Sequence, residues 1–549
     1  MPQHHGCTMK LTQTKLILLA SFFFVAFDNL AFFRHVLAVY PLSVKNIGFL
    51  ASLAVGLTCV ITLFLTLITS RYTLKLILIT LLFAAAFAGY FMNNYNVVID
   101  ATMIDNILQT DIGESSELLS LKLIVSLFLF GLLPTMFIFT ADIERVSWRR
   151  SLIARMKVGG ACVVVVFAMV LCFSKFYTSF FREHKPLRYY TNPTYSIYSA
   201  GKYISENLNT GTVVVASLGE DARAPEGNAD RQLIILVVGE AARADHFSLN
   251  GYPRETNPLL AREDVISMSA MYSCGTSTAH SVPCMFSIYG RDQYSNRKAE
   301  STENLLDVLQ HAEINVLWRD NNSDSKGVAL RVAYQDYQKP NVNPVCDSEC
   351  RDEGMLVGLQ EYIDGQEEGD IMIVLHQMGN HGPAYYKRYP EAFEKFTPVC
   401  RTNQFDECTN EEIVNAYDNA ILYTDYFLSE VITLLKENDN SFETAMVYLS
   451  DHGESLGEYG VYLHGLPYAM APEAQKHVAA LFWLGEHFDA DVDLLRQRAS
   501  LRYSQDNLFH TILGMMEVET EVYEQNMDIV PGDNTIPVLQ DSIVRNQGT

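Results

Sequence analysis

At 549 residues, 49% of them hydrophobic, the chain exceeds one ordinary domain. Its formal net charge of −24 is unevenly spread: residues 1–180 hold 13 Lys/Arg against 8 Asp/Glu, and the remainder 27 against 56. So acidic a remainder argues against nucleic acid as a partner, and a soluble, self-repelling surface accounts for most of it.

Apolar runs at 16–33, 47–69, 76–94, 121–140 and 158–174 are each near the length that crosses a bilayer, so five transmembrane helices are expected in 1–175. The first run is not read as a cleaved signal peptide, because further spans follow it and a small-residue cleavage pattern does not. Orientation follows the basic residues. Lys10 and Lys15 precede the first span, Arg71 and Lys75 lie between the second and third, and Arg145, Arg149, Arg150, Arg155 and Lys157 crowd the loop before the fifth. The 95–120 loop has no Lys or Arg. This places the N-terminus in the cytoplasm and, after five crossings, everything past about 175 outside. Asp28 and Asn29 stand inside the first span, where polar groups are costly; a functional site and snorkelling to the interface are both open. The polar outer loop 105–117 has an amphipathic helix as its plain reading.

Residues 176–230 read as a linker with a bridging helix. From 231 to 549 short buried strands alternate with helices. The strands are LIILVV (233–238), INVLW (314–318), IMIVL (371–375), TAMVYL (444–449) and HVAALFWL (477–484); the helices include 304–312 and 411–437. That alternation indicates an α/β domain with a mostly parallel sheet, whose ligands bind beyond the carboxyl ends of the strands. Cys274, Cys284, Cys346, Cys350, Cys400 and Cys408 lie in this acidic part in three close pairs. Local clustering favours disulfides 274–284, 346–350 and 400–408 in an oxidising compartment; a zinc cluster is the alternative.

Glu240, Asp451 and His452 follow predicted strands, and two carboxylates with an imidazole suit zinc with one position left for a nucleophile. The nucleophile is sought in CGTSTAHSVPC (274–284), at the predicted start of a helix. The residues alone leave Thr276, Ser277, Thr278 and Ser281 open, since such clusters are usually caps and turns.

Five stretches then carry a resemblance: VVGEAARADHFSLNGYPRETNP (237–258), CGTSTAHSVPCMFS (274–287), WRDNNSDSKG (318–327), HQMGNHGP (376–383) and YLSDHGESLGEYGVYLHG (448–465). With the membrane segments and NPTYSIYSAGKY (192–203), they resemble the lipid A phosphoethanolamine transferases of the alkaline phosphatase and sulfatase superfamily over nearly the whole chain. The resemblance implies Thr278 as nucleophile, with Glu240, Asp451 and His452 completing a zinc site. It implies a second set, His381 and His464, at the phosphoethanolamine group or a second zinc, with His376 assisting. Asn322 and Lys326 would hold the transferred phosphate, and Asn106, Thr110 and Glu114 would line the lipid cavity. The implied donor is phosphatidylethanolamine and the acceptor a lipid A phosphate, both within the bilayer, with no obligate protein partner. The implied outcome is polymyxin resistance. Open alternatives are transfer to Kdo or heptose of the lipopolysaccharide core, a phosphoglycerol transferase, or an inactive membrane scaffold.

Overall fold

The structure, a computed structural model, describes residues 10–109, 118–144, 146–207, 214–224 and 231–530. The chain forms two units: Met1–Asn209 with Gly457–Met470, and Thr210–Leu456 with Ala471–Thr549.

The first unit is helical: α1 Gln13–Phe27, α2 Leu30–Val39, α3 Ile47–Ile68, α4 Leu74–Asn94, α5 Ala101–Gln109, α6 Leu121–Thr140, α7 Trp148–Cys172, α8 Ser174–Arg182 and α9 Thr194–Asn207. Helices α3, α4, α6 and α7 are each long and apolar enough to cross a membrane. The first predicted span is instead a pair, α1 and α2, bent by 55°, and makes the fifth crossing if taken as one broken span. Its break falls at Asp28 and Asn29, which are buried rather than at an interface. Asn29 donates to the Phe24 carbonyl at 2.9 Å and accepts from the Asn192 amide at 2.9 Å, while Asn192 donates to the Ala85 carbonyl at 2.8 Å. Asn29 thus supplies hydrogen bonds at the joint, and the burial of both side chains overturns the snorkelling reading.

Helix α7 begins at Trp148, ahead of the apolar run at 158, because its first turns carry the basic residues. Arg155 reaches the Thr66 and Thr69 carbonyls at the end of α3, at 3.3 and 2.5 Å, and Lys75 the Phe139 and Ala141 carbonyls at the end of α6, at 2.9 and 2.7 Å. Cations thereby satisfy carbonyls that a helix end leaves unpaired. Leu16, Phe24, Ile61, Leu65, Leu78 and Leu82 form the packed centre of this unit.

The second unit is built on a seven-stranded sheet: β1 Arg231–Gly239, β2 Ile266–Ser267, β3 Asn315–Asp320, β4 Ala333–Asp336, β5 Ile371–His376, β6 Phe442–Ser450 and β7 Ala480–Leu484, in the spatial order β2-β7-β6-β1-β5-β3-β4. From β6 to β4 all neighbours are parallel; β7 and β2 close one edge antiparallel. Parallel strands here need cover on both faces. One face packs Ile234, Leu236, Val238, Trp318 and Val447 with the helices α10 Thr278–Met285 and α11 Leu305–His311. A further helix, α12 Asn410–Asn438, starts at a capping box in which Thr409 and Glu412 satisfy each other's amides.

The last predicted strand divides in two. His477–Val478 pairs with Tyr272 and Met271 in a separate three-stranded sheet, and only Ala480–Leu484 joins the main one. The edge strands β2 and β4 escaped sequence reading because two and four residues are too few to show a period. Bonds join Cys274 to Cys284, Cys346 to Cys350 and Cys400 to Cys408.

Candidate active site

Register brings the chemistry together. Gly239 of β1 pairs with Ser450 of β6, Val238 with His376 of β5, and His376 with Asp320 of β3. The carboxyl ends of four parallel strands are therefore level, and Glu240 and Asp451 emerge side by side, both fully buried. Gly379, with φ 49°, lies against them: a Cβ there would come within 3.0 Å of the Glu240 carbonyl. Only a glycine permits that approach.

Thr278 opens α10, and its Oγ1 donates to Glu240 Oε2 at 3.0 Å and lies 3.2 Å from His452 Nε2. His452 Nε2 is in turn 3.4 Å from Glu240 Oε1 and 3.3 Å from Asp451 Oδ2. His452 Nδ1 sits 2.9 Å from the Gly453 carbonyl, an arrangement that places its proton there and turns the Nε2 lone pair into the cluster. Ligand atoms of Glu240, Asp451 and His452 lie within 4.8 Å of one another.

Two buried carboxylates this close repel, and each keeps an oxygen that no hydrogen bond satisfies, Glu240 Oε1 and Asp451 Oδ2. Buried acceptors left so are costly unless a cation takes them. His376 Nε2 is a third such atom, on a side chain whose Nδ1 is held by Asp320 Oδ2 at 2.9 Å. Burial works to lower the His376 pKa, but the Asp320 carboxylate, with Glu240 and Asp451 beyond it, raises it overall. The donor set of two carboxylates, an imidazole and a hydroxyl fits a tetrahedral divalent metal such as zinc.

Of the four hydroxyls left open by sequence, that of Thr278 is bonded to this cluster. Ser281 Oγ accepts the Gly275 amide at 3.0 Å, and Ser277 is the N-cap residue of α10. Asn322 donates to Glu240 Oε2 at 3.0 Å and to the Gln377 carbonyl at 2.7 Å. The Lys326 side chain, 4% exposed, follows on the same turn, 3.7 Å from Asp324. His381 lies in the loop after β5, its carbonyl taking the Arg388 Nε proton at 2.6 Å. His464 lies in Gly457–Met470, which belongs to the first unit, and Asn106 on α5 of that unit. Thr110 and Glu114 fall outside the described residues.

Several supports were not foreseen. Gln505 accepts the Cys274 amide at 2.7 Å and donates to the Ser450 and Asp451 carbonyls at 2.8 and 2.7 Å, which ties the Thr278 loop to the end of β6. A lone glutamine carries no signal in a sequence. Asp352 accepts from Asn321 at 2.8 Å and from the Met378 and Gly379 amides at 2.9 and 3.1 Å, so one carboxylate holds the Asn322 and Gly379 turns together. Asp320 was likewise given no role, although it stands in a quoted motif just past a predicted strand, where its position was a usable signal.

Comparisons with known proteins place the chain in a family. The sulfatase family matches residues 232–518, and the family described as phosphoethanolamine transferase EptA/EptB matches residues 57–208. The chain is 45% identical over 496 residues to phosphatidylethanolamine transferase Mcr-2 of Escherichia coli, covering 88% of this chain and 92% of that protein. It is 42% identical over 529 residues to phosphoethanolamine transferase EptA of E. coli K12, covering 94% and 96%. The integral membrane lipooligosaccharide phosphoethanolamine transferase A of Neisseria meningitidis superposes with a TM-score of 0.91 at 33% identity, over 95% of this chain and 99% of that one. The chain therefore belongs to the phosphoethanolamine transferase family, with a helical membrane unit followed by a sulfatase-like α/β domain.

Proposed function

We propose that this chain moves phosphoethanolamine from phosphatidylethanolamine to a phosphate of lipid A, through a covalent intermediate on Thr278 and with zinc held by Glu240, Thr278, Asp451 and His452. The observation that carries the reading is the Thr278 hydroxyl at 3.0 Å from Glu240 and 3.2 Å from His452, within a fully buried carboxylate pair. Relatives named for phosphatidylethanolamine and phosphoethanolamine transfer supply the donor. The positive-inside pattern puts the N-terminus in the cytoplasm and the second unit in the periplasm, where both lipids are met.

Zinc bound there would acidify the Thr278 hydroxyl and offset charge on the phosphoryl oxygens. Thr278 Oγ1 attacks the donor phosphorus and the bond from phosphorus to the glycerol oxygen breaks. Diacylglycerol leaves with a proton, for which His381 is the donor in this reading. In the second half, a lipid A phosphate oxygen attacks the same phosphorus, and the bond to Thr278 Oγ1 breaks to restore the enzyme. Asn322 and Lys326 hold the group in both halves, the lysine as a point charge on a phosphoryl oxygen.

Each transferred group adds an ammonium to the outer leaflet and weakens its pull on cationic peptides. Expression in a polymyxin-susceptible Gram-negative cell should add one phosphoethanolamine mass unit per modified lipid A phosphate and raise resistance; Thr278→Ala should do neither. Core sugars gaining the mass instead of lipid A would refute the acceptor. Neither substrate changing would refute the reaction.

A further inference from the structure

The residue after Glu240 has an unusual backbone. Ala241 has φ 54°, in the left-handed region that a Cβ disfavours, and it is fully buried. Such a residue persists only where its surroundings over-determine it. Its own amide and the next are held from the adjacent strand end: Asp451 Oδ1 accepts the Ala241 amide at 3.0 Å, and Ser450 Oγ the Ala242 amide at 2.8 Å. The other side of the turn is held from α12. There the buried Tyr417 hydroxyl donates to the Ala241 carbonyl at 2.6 Å and accepts the Arg243 amide at 3.0 Å. Its ring meets Tyr385 and His246 edge-on, with centroids 5.5 and 5.1 Å away, so its aim is fixed by packing.

We propose that Tyr417 is a positioning residue for the metal centre: its hydroxyl holds Ala241 in the left-handed conformation and so sets the direction from which Glu240 enters the site. The inference rests on the reading that Glu240 is a zinc ligand. Without the hydroxyl, the Ala241 carbonyl and Arg243 amide lose a buried partner, and the peptide after Glu240 relaxes towards negative φ. The Glu240 side chain is anchored one residue upstream of that rotation and shifts with it. A glycine at 241 removes the reason to rotate, because it adopts positive φ freely.

The test is zinc affinity of the full-length chain in detergent, stripped with a chelator and titrated with zinc against a chromophoric competitor. Tyr417→Phe should weaken zinc roughly 10–100-fold, the usual effect of removing a support behind a metal ligand. Adding Ala241→Gly to it should recover most of the loss. A merely structural tyrosine would lower the melting temperature without moving zinc affinity, and glycine would rescue nothing; either result overturns the proposal. Should Tyr417→Phe fail to fold, Ala241→Gly alone decides: zinc affinity kept and a higher melting temperature support the strained turn, and a lower melting temperature overturns it. If the wild-type chain takes up no zinc, the zinc reading itself fails, a result distinct from wild-type affinity in Tyr417→Phe.

Discussion

Four hydroxyls crowd residues 274–284, and hydrogen bonding separates Thr278 from Ser281, which is committed to the Gly275 amide. Glu240, Asp451 and His452 were readable beforehand because each follows an apolar strand and is a metal-ligating type. Their supports were not, because Gln505, Asp352 and Tyr417 act mostly on backbone amides and carbonyls of segments distant in the chain, a pairing that no local pattern reveals. Gln505→Ala is therefore expected to slow transfer by an order of magnitude or more, in line with the loss usual when a ligand's support is removed. Kinetics on lipid substrate would check this; unchanged kcat would sever Gln505 from the site. A second residue-scale test concerns pH. Burial pushes the Asp528 carboxyl from 3.8 to about 7, against bonds from the Tyr523 hydroxyl and Val530 amide at 2.8 and 2.9 Å. A carboxyl with a raised folded pKa stabilises the fold below 3.8, and that contribution is lost as pH rises towards 7. Asp528→Asn should therefore melt higher than wild type at pH 8 and no higher at pH 4. Parallel melting curves at the two pH values would contradict it.

At the scale of elements, the central strands β1, β3, β5 and β6 were legible as short apolar runs, and the sheet order was not. Order depends on which strands meet, and periodicity is silent on that. The break in the first span was missed for a related reason: hydropathy averages over Asp28 and Asn29, whereas their hydrogen bonds to Asn192 lie more than a hundred and sixty residues away. The Cys400–Cys408 bridge closes the loop just before the capping box of α12. Replacing both cysteines with serine should cost roughly 2–3 kcal/mol in the chain-entropy model, read as a lower urea midpoint of the full chain. No change in midpoint would mean that the loop is already ordered by its neighbours.

For the whole molecule, charge asymmetry and the spacing of apolar runs foretold a membrane unit and an acidic catalytic one. They did not foretell that Gly457–Met470, with His464, belongs to the first unit, because chain order says nothing of which unit a loop joins. Reporter enzymes active only in the periplasm should work when fused after residue 175 and fail when fused between 141 and 147. The reverse pattern would undo the proposed topology. The central claim is that phosphoethanolamine rests on Thr278 between donor and acceptor. The most direct measurement is peptide mass spectrometry of the full-length chain quenched after incubation with phosphatidylethanolamine and no acceptor. The account predicts a phosphoethanolamine adduct on Thr278 and none in Thr278→Ala. Donor consumed with the adduct on Ser277 or Ser281, or with no adduct at all, would contradict it.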